Sequence, residues 1–502
     1  MPNYLKALIL VLIATSVVLY FVRDPVISHY SKKEYREYRN MWWFITACLF
    51  ISPDIWILYA IVFVALLTRR YAADIDRVSA YLFLLFTAPS IEASIPGIGG
   101  INRFFDLDLQ RILVLVVLLP IFKKSLKGGF SVVPSDKFVV LYLGMIAILL
   151  FRQDSVTHSI RQAVVLGIDF FIPYFVVSRT ISSLSEFNRV LLALMFTFAM
   201  LSAEAIMESL RHWELYNSVG QRLIGERVFR FSGERAGILR ARSIFLSPII
   251  LGFAMVFLLA LLVYMKPYFT RKFGFYVLFG LGGMALVFTF SRAAWVGGVV
   301  MLAVYIMAAN GVAKAAWYLV AGALTGFVAL TMTQFGQSML KLLPFFGGTE
   351  RLDTFDYRAR LMENGIILVK RNPWFGDHLY LMTPEMEELR QGQGIIDTVN
   401  GFLAVAMRYG LVTLFFFLMI FIPSIFIIFR RIRGLPPSEA RFGDLGRMLI
   451  SFMVASLLII STVSNTDFVP VLSFIGAAFM AAWIRISNDL ENRSRRTEIV
   501  VR

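Results

Sequence analysis

Long apolar runs recur along the chain from residue 5 to residue 486, separated by polar segments of variable length. Examples are the runs 5–22, 244–265, 315–332 and 411–429. Each run is about as long as a helix that crosses roughly 30 Å of hydrocarbon. Because lipid cannot satisfy backbone polar groups, such runs must form helices or closed barrels. Unbroken apolar runs lack the alternating pattern of barrel strands, so the pattern predicts an all-α, polytopic integral membrane protein.

We predict about 12 to 14 transmembrane helices from these runs. The run 42–68 is broken at Pro53 and can form two short helices, and the run 79–94 can be partly re-entrant. The first run has no small-residue cleavage site before Arg23, so we interpret it as a retained span rather than a signal peptide. The candidate spans are 5–22, 42–68, 79–94, 107–122, 138–151, 158–178, 186–209, 244–265, 274–290, 294–309, 313–333, 411–430, 445–462 and 468–486.

The composition agrees with a membrane class. Apolar residues make up 58% of the chain and charged residues only 16%, whereas soluble domains carry about 25% charged residues. The formal net charge is +16, but no soluble module with a basic face accompanies it, which argues against nucleic-acid binding. The single cysteine, Cys48, lies in an apolar run and excludes an intrachain disulfide.

Basic connections predict the orientation of the chain in the membrane. Lysine and arginine cluster at 123–137, 266–272, 430–447 and 493–496, and counting spans places all four clusters on one side. The positive-inside rule makes that side cytoplasmic, together with the C-terminus. The same count places the N-terminus there too, but the break at Pro53 leaves its side open. The predicted units are N-terminal transmembrane helices (1–210), an Arg-rich periplasmic loop (211–243), central transmembrane helices (244–333), a large periplasmic loop with short helices (334–398), C-terminal transmembrane helices (399–486) and a cytoplasmic tail (487–502).

The predicted outer loops carry arginine against the topological bias. Residues 210–243 contain seven arginines and no lysine. Arginine binds phosphate with a planar fork of donors and keeps its charge, so this loop suggests a phosphate-bearing ligand. Lipid headgroups or ion pairs with neighbouring acids are the alternatives. In the second loop, residues 354–369 predict a helix that Asn372-Pro373 ends.

Other ionisable residues give further candidates. Ser291-Arg292 lies between two apolar runs at the predicted outer boundary, where a charge is costly unless it is paired, functional or snorkelling to headgroups. Glu204 and Glu208 lie one helical turn apart near the outer end of a span, and they can pair with the outer arginines or act as a base. His378 follows Asp377, and a histidine beside an acid can act as a general base.

The sequence resembles the O-antigen ligase/polymerase family of membrane glycosyltransferases, the Wzy and WaaL type, over about residues 236–430. Four blocks carry the resemblance. Arg240 to Pro248 resembles the family's R-A-x-G-x-F-x-x-P-N entry to a span, and Thr289 to Trp295 resembles its T-x-S-R-G-A-W turn. Arg358, followed by Pro373 to Gly376, resembles R…P-L-x-G, and Asn400-Gly-Phe-Leu with Gly410-Leu-Val resembles H-N-x-x-L…G-L-x-G.

Two positions depart from the family pattern. Val399 stands where ligases and many polymerases carry histidine, and Ile249 stands where asparagine is usual. The missing histidine is the family's main acceptor-side candidate. Its absence favours a polymerase over a ligase and leaves another base open, such as His378, Asp397 or Glu208.

The resemblance implies a GT-C-like fold and a metal-independent, inverting glycosyl transfer without a cofactor, at the periplasmic face of the bacterial inner membrane. The donor and the acceptor would be glycans on undecaprenyl diphosphate in the lipid bilayer, with a chain-length regulator and a flippase as candidate partner proteins and no nucleic acid. The implied diphosphate ligands are Arg240, Arg242, Arg292, Arg358 and Arg360. Trp374 and Tyr380 could stack on sugar rings or belong to the interfacial aromatic belt, and Asn400 is a further sugar-binding candidate.

Two alternatives remain open. A ligase would join finished glycan to lipid A core or to another acceptor. A flippase or transporter of a lipid-linked glycan would use the outer arginines as a binding site. The chain lacks the internal symmetry of many transporters, and its unexplained charge concentrates on one face, which favours the enzyme.

Overall fold

A computed structural model describes the chain except for residues 98–102, 128, 154, 229–232, 236, 315, 319–321, 323–349, 392–393, 464–467 and 502. Within the described residues, eight helices are long and apolar enough to cross a membrane, and two shorter apolar helices accompany them. The described strands form only two small two-stranded antiparallel sheets. The all-α polytopic class is therefore confirmed. The span predicted at 313–333 lies almost entirely outside the described residues.

The first half of the chain alternates helices with short turns. Its elements are α1 (Asn3–Ile27), α2 (Lys32–Ile51), α3 (Ile55–Thr68), α4 (Asp74–Leu84), β1 (Ala93–Pro96), β2 (Arg103–Leu107), α5 (Leu109–Leu113), α6 (Leu119–Ser125), α7 (Pro134–Leu150), α8 (Val156–Leu166), α9 (Ile172–Thr180) and α10 (Leu184–Arg211). One-turn π-helices, Val114–Leu118 and Gly167–Phe171, join α5 to α6 and α8 to α9. Such π-bulges are often found at functional sites.

The second half begins with the Arg-rich loop. Its elements are α11 (Asn217–Leu223), β3 (Glu234–Arg235), β4 (Ile238–Leu239), α12 (Pro248–Met265), α13 (Lys272–Phe288), α14 (Arg292–Asn310), α15 (Glu350–Arg371), α16 (Pro384–Glu387), α17 (Gly401–Ile432), α18 (Ala440–Ile460) and α19 (Phe468–Val501). The helix predicted at 354–369 is thus confirmed within α15, and the backbone leaves the helix at Asn372 as expected.

Three helices form the centre of the bundle. The apolar stretches of α10, α12 and α19 are 94%, 89% and 89% buried, whereas that of α14 is only 22% buried. Helices that are apolar on every side are stabilised by packing when other helices surround them, and otherwise they face lipid. The core is therefore a central trio, and α14 belongs to its lipid-facing periphery.

The predicted basic connections lie on one face of the bundle. The Arg441 guanidinium lies 5.1 Å from the centre of the Tyr268 ring, which joins the second connection to the third. Arg179 pairs with Asp136 of the first connection at 2.7 Å, and Arg485 of α19 donates to the carbonyl of Arg179 at 3.2 Å. We call this surface the basic face, and we call the opposite surface, which carries the Arg-rich loop, the loop face.

The N-terminus lies on the loop face, which corrects the expected orientation. The Arg222 guanidinium of the Arg-rich loop lies 4.2 Å from the centre of the Tyr4 ring at the start of α1. Arg222 also donates to the carbonyls of Ile51 and Ser52 at the end of α2. The break at Pro53 separates two helices that run in opposite directions, so the region 42–68 adds one more crossing than a single span would.

Candidate functional site

The Arg-rich loop docks on the connection between α13 and α14. The Nε of Arg240 donates to the carbonyl of Thr289 at 3.0 Å, and a terminal nitrogen of Arg235 donates to the carbonyl of Phe290 at 3.0 Å. The last carbonyls of a helix lack intrahelical partners and form the negative end of its dipole. The end of α13 therefore holds two arginines of the loop in place.

The connection itself is a tight turn that presents Arg292. Phe290 has a left-handed backbone (φ +46°), which is rare for a bulky residue. The Ser291 hydroxyl caps α14 by accepting the N–H of Ala294 at 3.4 Å. Arg292 is the first residue of α14 and is half-buried. An arginine at the positive end of a helix dipole makes a favourable position for an anion.

Arg240 and Arg242 differ in their surroundings, although only Ala241 separates them. Arg242 is 4% exposed and forms an ion pair with Glu214. Arg240 has no ion pair among the described residues, and burial, followed by the neighbouring charge of Arg235, lowers its pKa to about 10. Arg240 still carries its charge at neutral pH, and a nearby anion would relieve that electrostatic cost. Of the two, Arg240 could accept an added anion without displacing a carboxylate of the described residues.

Glu208 holds the end of the Arg-rich loop. Its carboxylate accepts the backbone N–H groups of Ser243 at 2.7 Å, Arg242 at 3.1 Å and Leu215 at 3.3 Å. The side chain is 1% exposed. Both oxygens therefore serve as acceptors for the loop backbone, which favours the structural alternative for this residue over a base. Its partners are backbone groups rather than the arginine side chains that the sequence suggested.

Glu204 lies one turn earlier on the same buried face, as the spacing predicts. Its Oε2 accepts the hydroxyls of Ser243 at 2.7 Å and Tyr216 at 2.9 Å. Its other oxygen has no hydrogen-bond partner among the described residues. Ser243 thus meets both glutamates, and the two carboxylates together tie the loop to the end of α10.

The arginines of α15 occupy a different environment. Arg358 and Arg360 are exposed, and neither forms an ion pair or a hydrogen bond within the described residues. The hydroxyl of Tyr357 accepts the backbone N–H of Asp397 at 3.0 Å and donates to its carbonyl at 2.9 Å. This contact places Asp397 beside α15, in the same stretch as the two arginines. No described contact joins these residues to Arg240 or Arg292.

His378 lies beside its acidic neighbour without a hydrogen bond. Its Nδ1 is 3.8 Å from the nearest oxygen of Asp377, which exceeds a hydrogen-bond distance. Asp377 instead accepts the backbone N–H of Leu379 at 2.9 Å. The side chain of His378 is partly exposed. The catalytic assignments of His378, Asp397 and Glu208 stay predictions.

The three sugar-binding candidates have different exposures. Trp374 is 65% exposed, whereas Tyr380 is 7% exposed and packs in a small apolar cluster beside Val399. The side chain of Asn400 caps α17 by accepting the N–H groups of Phe402 and Leu403, both at 3.1 Å. Of the three candidates, only Trp374 has an aromatic ring that is open to a ligand. The side-chain oxygen of Asn400 is already used as a helix cap.

The two glycine-containing blocks of the resemblance pack directly on each other. Gly410 breaks α17 with φ +84°, and Gly376 has φ +63°. A Cβ on Gly376 would lie 2.5 Å from the Met407 carbonyl oxygen, and a Cβ on Gly410 would collide with the backbone of Trp374 and Phe375. The N–H of Leu411 donates to the carbonyl of Pro373 across this crossing at 2.8 Å. Two backbones therefore meet where only glycine fits.

Arg152, which sequence reasoning did not single out, clamps this glycine crossing. One terminal nitrogen donates to the carbonyls of Phe375 and Gly376, both at 2.9 Å. The other donates to the carbonyl of Arg408 at 3.0 Å. A single guanidinium thus ties the end of α7 to the large loop and to the break in α17. No sequence signal marks these partners, because they lie more than 200 positions away along the chain.

A second missed cluster surrounds Arg111. Its guanidinium binds Asp169 at 3.1 Å and Glu92 at 3.0 Å, and its backbone N–H donates to Asp108 at 2.8 Å. Asp169 lies in the π-helix between α8 and α9. The sequence did offer a signal for this cluster, because Arg111 is an ionisable residue inside the apolar run 107–122. Such residues need a partner or a function. Arg161 donates to the carbonyls of Arg103 and Phe104 in β2.

Part of the candidate site lies in a region of the chain that matches a known protein family. Residues 275–418 match the sequence model of the Wzy_C family, which is described as O-antigen ligase. The match contains the turn at Ser291 and both blocks of the glycine crossing, whereas Arg240 and Arg152 lie outside it. No curated protein matches the chain. Within the described residues, no group of three histidine, cysteine or acidic side chains is placed to hold a metal ion.

Proposed function

Because the chain carries a Wzy_C domain of the O-antigen ligase/polymerase family, we propose that it polymerises polysaccharide repeat units linked to undecaprenyl diphosphate. A hydroxyl oxygen of the acceptor glycan attacks the anomeric carbon of the donor glycan. The bond from that carbon to the diphosphate breaks, and undecaprenyl diphosphate leaves. The hydroxyl proton passes to a base. The loop face is then the periplasmic face, and the product is an exopolysaccharide or an O-antigen.

The observation that carries the proposal is the position of Arg292 within the matched domain. It begins α14, where the helix dipole already favours an anion. Arg240 is anchored at the preceding turn by Thr289, and its two terminal nitrogens have no partner among the described residues. These two arginines come from separate segments, and both lie at the connection between α13 and α14. Their fixed charge would stabilise the departing diphosphate in the transition state.

Arg358 and Arg360 complete the proposed cationic lining. Both are exposed on α15 without an ion pair among the described residues, so an arriving anion need not displace an acid. Arg242 contributes less in this proposal, since it is buried and paired with Glu214. Positioning of the acceptor hydroxyl supplies a further share of the rate enhancement.

For the base we favour His378. It is partly exposed on the loop face, whereas Glu208 is buried with both oxygens accepting backbone N–H groups. An in-line attack inverts the anomeric carbon. The anomeric configuration of the donor and of the polymer, compared by NMR, tests this step.

The family description itself supports a ligase as the second candidate. A ligase would transfer the finished glycan to lipid A core or another acceptor. Against it, Val399 stands where the family carries its acceptor-side histidine, and its side chain packs with the apolar cluster around Tyr380 and Leu361. Valine can neither donate nor accept a proton, so the polymerase remains our first choice.

The deciding experiment measures glycan length on lipid carriers in a strain that produces Arg292→Ala. The matched control is Arg211→Ala, which removes an exposed arginine of the same loop face. Membrane amounts of both variants are compared with the parent and a deletion strain. We expect Arg292→Ala to show single repeat units, as the deletion does, and Arg211→Ala to keep long chains.

Other outcomes select the alternatives. If single units accumulate inside the cell and never reach the outer face, the protein is a flippase. If long glycan persists on its lipid carrier but never reaches a final acceptor, it is a ligase. Normal glycan in the Arg292→Ala strain would contradict a role for Arg292 in holding the diphosphate.

A further inference from the structure

A basic cavity lies between the first two helices on the face opposite the proposed active site. Its volume is about 450 Å³. Four cations line it, and no carboxylate does. The lining cations are Arg23, Lys32, Arg36 and Arg39. Asp24 lines an adjacent cavity, which shares Tyr20, Arg23 and Ile27 with this one. A concave site with one sign of charge focuses the electrostatic field and attracts anions.

The cations of this cavity lack the ion pairs that neutralise others on the basic face. Within the part of the chain that the structure describes, Arg23, Lys32 and Arg36 have no salt bridge. Arg39 donates to Asn40 and lies 4.8 Å from the centre of the Trp43 ring. By contrast, nearby Arg189 binds two carboxylates, each at 2.7 Å. The charge around the cavity is therefore available to a ligand.

An apolar stripe on α1 leads from the bilayer region to this cavity. Ile9, Ile13 and Val17 are 46%, 55% and 56% exposed. They repeat every fourth residue, so they share one helix face. Tyr20, which is 63% exposed, continues the stripe and lines the cavity. Tyrosine and tryptophan are enriched at headgroup level in membrane proteins, and Trp43 lines the same cavity.

We propose that this cavity binds the headgroup of an anionic phospholipid, whose acyl chains lie along the α1 stripe. The four cations supply the phosphate partners, and basic pockets between helices on the positively charged side of membrane proteins bind such headgroups. The buried Tyr35 forms the floor by donating to the carbonyl of Leu19 at 2.7 Å, which fixes α2 against α1. A soluble phosphate would use the cations but not the stripe, so we commit to lipid.

The test measures lipid retained by the purified full-length protein in a neutral detergent, by native mass spectrometry. Phosphatidylglycerol is titrated against phosphatidylcholine of the same chain length, and inorganic phosphate is added in a separate series. The variant is Arg23→Gln/Arg36→Gln/Arg39→Gln. We expect the parent to prefer phosphatidylglycerol. Each charge near a membrane surface changes the binding constant roughly fivefold, so the triple variant loses on the order of a hundredfold.

The matched control removes three exposed lysines of the same face, Lys123→Gln/Lys127→Gln/Lys137→Gln, and should keep the preference. An equal loss in both variants would mean diffuse surface charge and overturn the proposal. Displacement of phosphatidylglycerol by millimolar phosphate would identify a soluble phosphate ligand and contradict the lipid proposal. Equal retention of phosphatidylglycerol and phosphatidylcholine would also contradict the proposal. Melting temperatures without lipid verify that each variant is folded. Arg292→Ala should retain the lipid, because the cavity lies on the opposite face from the proposed active site.

Discussion

At the residue scale, Glu208 shows how a buried carboxylate organises the loop face. Three backbone N–H groups from two separate parts of the loop converge on it. We predict that Glu208→Gln destabilises the protein by about 1–3 kcal/mol, because an amide nitrogen then faces a backbone donor and leaves it unsatisfied. Denaturant or thermal unfolding of the purified variant measures this change.

The control for this substitution is Glu388→Gln, which changes an exposed glutamate of the large loop and should leave stability within about 0.5 kcal/mol. A Glu208→Gln protein of parental stability that no longer elongates glycan would instead favour the role of a base. Stability and glycan length, measured together, therefore distinguish a structural role of Glu208 from the role of a base.

Single residues could be predicted from the sequence where their chemistry is local. The shared face of Glu204 and Glu208 follows from their spacing along one helix. The anchoring of Arg240 at Thr289 does not, because nothing local indicates which carbonyl a long side chain will reach. Arg152 is the extreme case, since all its partners outside α7 belong to distant segments.

At the element scale, the glycine crossing joins a loop to a helix break. We predict that Gly410→Ala destabilises the protein by about 2–3 kcal/mol or prevents its accumulation in the membrane. The physical reasons are the positive φ of +84° and the collision of a Cβ with the Trp374 backbone. Thermal stability and membrane content of the variant provide the measurement.

Gly144→Ala in α7 is the matched substitution, since a Cβ there has open space and a helical backbone. Alanine has the higher helix propensity, so we expect parental or slightly higher stability. If Gly410→Ala is as stable as Gly144→Ala, the two backbones are not in the close contact described above.

Elements were predictable to the extent that they are long and apolar. The runs at 186–209 and 244–265 correspond to α10 and α12 because both are long and mostly apolar. The π-helices after Leu113 and Leu166 were not predictable, since one extra residue in a helical turn leaves no periodic signature. Short hairpins such as β1–β2 were not predictable either, because strands of four or five residues are too short to show an alternating pattern.

At the scale of the whole molecule, the two ends of the chain lie on opposite faces. The contact between Tyr4 and Arg222 places the N-terminus on the loop face. The ion pair of Arg431 with Glu491 at 3.4 Å places the C-terminal helix end on the basic face. We predict that a membrane-impermeant thiol reagent labels Asn3→Cys in intact cells with an opened outer membrane. Lys272→Cys, on the basic face, should react only after the inner membrane is permeabilised.

The parent, whose only cysteine is Cys48, supplies the background for both labels. Labelling of Lys272→Cys before permeabilisation, with Asn3→Cys protected, would reverse the assignment of the faces. Positive-inside counting gave the correct grouping of the basic connections but the wrong side for the N-terminus. A count of crossings changes sign with every added helix, so the N-terminus changes sides when the break at Pro53 divides 42–68 into two crossings instead of one.

The clamp made by Arg152 bears on how this protein could be recombined with its relatives. The matched domain at 275–418 contains both halves of the glycine crossing but not the arginine that holds them. A chimera cut at those boundaries would inherit a foreign residue at position 152 opposite three native carbonyls. An exchange should therefore include α7 and Arg152 along with the domain, so that the arginine and the three carbonyls that it binds come from the same protein.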